Sequence, residues 1–158
     1  MTMVQVPNLS LLYERDETAW LEAMAALAAS GQYTEMDFQH LSEYLADMAK
    51  RDRREVFSRL VVLLTHLLKG EHQPERRSGS WRGTMREQRR ELRQLLESGV
   101  LRRHAEAVVA DTYAEARRQA ADETELPLGV FPVENPWSLD ELLAEPNAEP
   151  GAAADAGA

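Results

Sequence analysis

The sequence predicts an all-α fold: a single-domain helical bundle of about five main helices plus a short C-terminal helix, with an extended Pro-containing segment packed on it. Three observations lead there. Strong helix formers carry apolar residues three and four apart, and no stretch alternates with period two long enough to read as a strand. Gly31, Gly70, Gly99 and the prolines from Pro127 onward fall between the periodic stretches, where stops are expected. At 158 residues, with 44% hydrophobic and 28% charged side chains, the chain is long enough to bury a core.

Asp16 to about Ala29 reads as the first helix, because Trp20, Met24 and Leu27 share a face before Gly31. The next runs from near Asp37 to Ala49 through Phe38, Leu41, Leu45 and Met48. Asp52 with Glu55 three residues on resembles a capping box, so a break near residues 50–52 precedes a third helix to about Lys69. A continuous helix over 37–69 is the alternative. In residues 56–68 nine of thirteen side chains are apolar, which places this helix at the centre with neighbours on several sides. Residues 70–79 form a polar loop with Pro74. Ser80 caps a fourth helix that carries Trp81, Met85, Leu92 and Leu95 and ends before Gly99; a fifth runs from about Val100 to Asp122. Residues 126–133 hold two prolines and cannot continue a helix, yet are apolar enough to lie along the bundle. Ser138 and Glu141 make a capping box for a last helix, Leu139 to Ala144, with Trp137 and Leu142 placed as a hydrophobic staple. The domain is thus expected over 9–145, after a lead of residues 1–8 and before a small, polar, disordered tail over 146–158.

The net charge of −9 is unevenly distributed. Residues 1–49 carry −7, residues 50–103 carry +8 and residues 104–158 carry −10. Sixteen of the eighteen basic residues are Arg, which makes planar bidentate contacts that Lys cannot. On the fourth helix Arg82, Arg86, Arg89, Arg90 and Arg93 recur along one face, with Lys69, Arg76 and Arg77 just before it. Like charges one turn apart repel, so compensation is required. Either acidic side chains of neighbouring helices supply it, or the face binds phosphate, RNA or an acidic partner.

The chain has no cysteine, which removes disulfides, thiolate metal sites and cysteine nucleophiles and suits a reducing cytoplasm. The first residues lack the basic and apolar segments of a secretory signal, and no apolar run is long enough to span a bilayer. No carboxylate–His cluster has metal-ligand spacing, so no metal and no cofactor is expected. Arg59 and His66 share a helical face, and their spacing loosely resembles the Arg and His motif of HEPN-type ribonucleases, small helical bundles that cleave RNA. Leu60 stands where that motif usually has a polar residue. The alternative for His66 is a core histidine satisfied by a single hydrogen bond.

A broader resemblance covers residues 9–145. Leu12 to Asp16 followed by Trp20, Leu63 to Lys69, Gln73 to Arg77, Ser80-Trp81-Arg82, Arg86 to Arg90, and Leu126-Pro127 with Phe131-Pro132 together resemble the bacterial domain of unknown function 29 family. The resemblance implies an all-helical bundle and supplies no activity, cofactor or catalytic residue. It directs attention to His66, Lys69, Arg77, Ser80, Trp81, Arg86 and Arg90. Gly70 stands where the family often has Trp. The organising centre is then a hairpin of the third and fourth helices. In it Trp81 packs on the leucine-rich helix, and its indole N–H has His66 as candidate acceptor or neighbour. The functional expectation is a cytoplasmic protein-interaction module without catalytic activity, binding itself or another protein. The rivals are a nucleic-acid or phosphate-binding module using the Arg face, and a ribonuclease.

Overall fold

The computed structural model describes residues 8–145, so the expected N-terminal lead (all but Asn8) and the expected tail lie outside the described residues. Six α-helices form and no strand is present among the described residues. They are α1 (Leu9–Arg15), α2 (Glu17–Ala29), α3 (Phe38–His72), α4 (Gly79–Leu95), α5 (Gly99–Thr124) and α6 (Leu139–Leu143). Single 3₁₀ turns lie at Tyr33–Glu35, Pro74–Arg76 and Leu128–Val130. None of the helices is long and apolar enough to cross a membrane.

Two expectations about elements are corrected. Asn8 starts a helix the periodicity missed: its side chain accepts from the Leu11 N–H, and Asp16 then closes α1 and caps α2. The break at residues 50–52 does not occur, and α3 runs for 35 residues. Ala49, Lys50, Arg51, Arg53 and Arg54 are good helix formers, and one Asp costs only tenths of a kcal/mol (about 0.5) inside a helix. Glu55, read as half of a cap, instead pairs with Arg59 one turn on, at 2.9 Å.

Backbone packing divides the chain after Lys50 into two compact units. In the first, Leu9, Trp20 and Met24 are buried, and Leu12, Tyr13, Leu41 and Tyr44 pack around them. Trp20 is fully buried, so its indole N–H must find an acceptor. It donates to Asp37 Oδ2 (3.2 Å), which His40 Nδ1 also meets at 2.7 Å. Asp37 Oδ1 accepts the His40 backbone N–H, and the His40 ring stacks on Tyr13. Burial pushes the Asp37 carboxyl up, but the hydrogen bonds from His40 and Trp20 outweigh it and hold the group below its usual range.

In the second unit the leucine-rich half of α3 is central, as its near-continuous apolar surface predicts. Val56, Leu60, Leu63, Leu64 and Leu68 are fully buried against Met85 and Leu92 of α4, Ala105, Ala116 and Ala120 of α5, and Leu142 of α6. The segment 126–133 lies along this unit, anchored by buried Phe131, and includes one 3₁₀ turn rather than being extended throughout. The Tyr113 hydroxyl donates to the Pro132 carbonyl (2.6 Å), and Arg117 donates to the carbonyls of Phe131 and Leu128. Helix α6 has the predicted capping box between Ser138 and Glu141.

Candidate functional site: a cleft at the α3–α4 hairpin

Helix α3 continues through Gly70 to His72, so Gly70 is helical and not the start of a loop. The chain reverses through the Pro74 turn, and Ser78, not Ser80, caps α4 by accepting from the Trp81 N–H at 3.1 Å. The reversal lays Trp81 on the end of α3. Its indole N–H donates to the His66 carbonyl at 2.9 Å. His66 is therefore the acceptor, through its backbone and not its ring; a carbonyl has two lone pairs and can serve both the helix ladder and the indole. Trp81 is half-buried, and its close approach depends on Gly70, where a Cβ would stand 2.5 Å from Trp81 Cζ2. Arg77 closes the arrangement: its Nε donates to the Gly70 carbonyl (2.8 Å) and its guanidinium lies 5.3 Å from the indole centroid.

Beside this junction is a cleft of about 290 Å³ lined by His66, Lys69, Arg76, Ser80 and Trp81, with Gln73, Ser78, Thr84 and Glu123 completing the wall. Its volume is near the lower end of small-molecule sites, roughly 300–1,000 Å³. His66 Nδ1 is 2.9 Å from the Val62 carbonyl; a carbonyl only accepts, so Nδ1 carries a proton. The imidazole is satisfied there by one hydrogen bond while it also forms part of the wall. Lys69 Nζ donates to Glu123 Oε2 at 2.8 Å, and Gln119 donates to Glu123 Oε1 at 2.9 Å. The Lys69 hydrogen bond is the main reason the Glu123 carboxyl titrates below its usual range. Arg76 has no acidic side chain within 4 Å among the described residues.

The cationic face read along α4 is divided by the structure into different duties. Arg89 Nε donates to the Leu142 carbonyl (3.0 Å) and Arg93 Nε to the Leu143 carbonyl (2.7 Å), so both serve the C-terminal end of α6. Arg93 also reaches Glu145 at 3.1 Å. The compensation required for this face thus comes largely from backbone carbonyls rather than from acids of neighbouring helices. Arg82 donates to the Arg77 carbonyl (3.3 Å), Arg90 pairs with adjacent Glu91 (2.8 Å), and Arg86 is exposed with no acidic partner within 4 Å among the described residues. At 100° per residue, Arg82, Arg86 and Arg90 lie on a different flank of α4 from Ser80 and Thr84, which line the cleft. Lys69 and Arg76 therefore belong to the cleft, whereas the α4 arginines do not extend it.

Arg59 and His66 are not brought together. Seven residues of one helix separate them by about 10 Å along its axis. Arg59 is also held elsewhere, by Glu55, by Gln88 Oε1 of α4 (3.2 Å) and by Glu91 (3.9 Å). Sequence reasoning missed Glu123, 54 residues from its partner Lys69, because no local pattern links them. It also chose Ser80 over Ser78 in a Ser-Gly-Ser run where either hydroxyl fits an N-cap.

The family comparison agrees with the resemblance read from the motifs. Residues 12–146 match the model of a family described as Domain of unknown function DUF29, and the chain belongs to that family. Neither the curated proteins nor the solved structures yield a match.

Proposed function

We propose that this member of the DUF29 family is a cytoplasmic binding module that takes a small phosphate-bearing molecule in the α3–α4 cleft. The observation that supports this reading is convergence: Lys69, Arg76, Ser80, His66 and Trp81, singled out separately in the sequence, line one cavity of ligand size. Ammonium, guanidinium and hydroxyl groups around a half-buried aromatic are the donor set a phosphate ester requires. The overall charge of −9 and the separation of Arg82, Arg86 and Arg90 from the cleft favour a compact ligand over a nucleic-acid strand.

The test is a titration of the full chain with inorganic phosphate and with a nucleoside monophosphate, followed at the Trp81 indole N–H by NMR. Saturable shifts are expected at millimolar or lower concentration, weakening with added salt, and Arg76→Ala is expected to weaken binding roughly tenfold. Absence of any shift in the wild-type chain overturns the reading.

A protein partner is the second reading, favoured by Leu128, Val130 and Val133, which stand 42%, 45% and 79% exposed within six residues. Substituting the two valines by Ser abolishes association with a copy of the chain or another protein if that strip is the contact.

A further inference from the structure

Resting on the reading of the cleft as an anion site, we infer that Glu123 is a built-in competitor for that site and a determinant of which anions enter it. The two cations of the cleft are not equivalent. Arg76 is free of acidic partners within 4 Å among the described residues, whereas Lys69 Nζ is already engaged by Glu123 Oε2 at 2.8 Å. Glu123 reaches the cleft from the last turns of α5, and Lys69 from the last turns of α3. The carboxylate thus occupies, within the chain, the place where an incoming phosphate oxygen would meet the ammonium.

The pair is suited to exchange. Its side chains are 30% and 39% exposed, and ion pairs that open to water are weak and readily rearranged. Glu123 keeps the Gln119 amide on its other oxygen, so it has a local partner one turn back on α5 when Lys69 is taken from it. A phosphate entering the cleft must either share the Lys69 ammonium with Glu123 or displace the carboxylate from it, and in both cases it sits near a second negative charge. Compact dianions are thereby disfavoured relative to a cleft holding the same cations alone, and Glu123 raises the threshold that Lys69 and Arg76 would otherwise set.

The experiment compares inorganic phosphate binding to the full-length wild type, Glu123→Gln, Lys69→Ala and the double variant, read at the Trp81 indole resonance. Glu123→Gln is isosteric and is expected to bind phosphate roughly tenfold more tightly. In the Lys69→Ala background the same substitution gains distinctly less, because the contested ammonium is gone. Glu123→Ala must change affinity in the same direction, which separates loss of the charge from any effect of the new amide. If wild type binds and Glu123→Gln binds equally or more weakly, the competitor role is overturned while the anion site stands. An equal gain with and without Lys69 also overturns it, since simple repulsion then suffices. If neither wild type nor Glu123→Gln responds, the anion site itself fails and this inference with it.

Discussion

Gly70 lies in the last turn of α3, where glycine costs up to about 1 kcal/mol relative to alanine. Propensity alone therefore marks it as a stop and predicts a loop from this residue onward. The structure supplies the reason a helix tolerates it: a methyl at this position would stand 2.5 Å from Trp81 Cζ2, 3.0 Å from Cε2 and 3.1 Å from Arg77 Nε. Gly70→Ala is accordingly expected to destabilise the protein by about 1–3 kcal/mol through overpacking. In a Trp81→Leu background the sign reverses, and the same change stabilises by up to about 1 kcal/mol through helix propensity. Urea denaturation of the four variants as a double-mutant cycle checks both signs.

Helix α6 has only five residues, far below the length at which a helix persists alone in water. Both of its ends are held by side chains. The Ser138–Glu141 box at the start is local and was legible in the sequence. The arginines at the other end come from α4, some fifty residues earlier, and looked in the sequence like repulsion awaiting acidic partners. Arg93→Met preserves the aliphatic stem and removes the donors. It is expected to cost about 1–2 kcal/mol. Amide exchange over residues 139–143 should accelerate, while exchange in the Leu60 to Leu68 stretch of α3 should change only by the global loss of stability. Protection of α6 equal to wild type would show that burial of Leu139, Leu142 and Leu143 holds the helix unaided.

At the scale of the whole molecule, the two units differ in the size of their cores. Among the described residues the first buries Leu9, Trp20 and Met24, whereas the second buries seventeen apolar side chains. Stability follows buried apolar area, so native-state hydrogen exchange is expected to show α1 and α2 opening at lower free energy than α5 and the second half of α3. Acid draws on both units, through Asp37 in the first and Glu123 in the second, each held below its usual range when folded. The Asp37 carboxyl titrates below its unfolded value when folded, so its contribution is complete above the unfolded value, near 3.9, and is lost as pH falls through the folded one. Equal opening energies in the two units at neutral pH would contradict the ranking.

The sequence by itself determined the helical class, the leucine-rich half of α3 as the central element, the α3–α4 hairpin, the cap of α6 and the residues at the hairpin. These follow from periodicity, caps and composition, which act over one or two helical turns and can be read locally. Only the tertiary structure decided that α3 runs unbroken, that Arg89 and Arg93 are spent on the carbonyls of α6, and that Glu123 faces Lys69 in the cleft. The physical reason is range. A helix break is a small local preference that continuous good formers and packing override, and a charge finds its partner through space. In the sequence Glu123 is one more acidic residue of an acidic stretch; against Lys69 it becomes the group that contests the cleft.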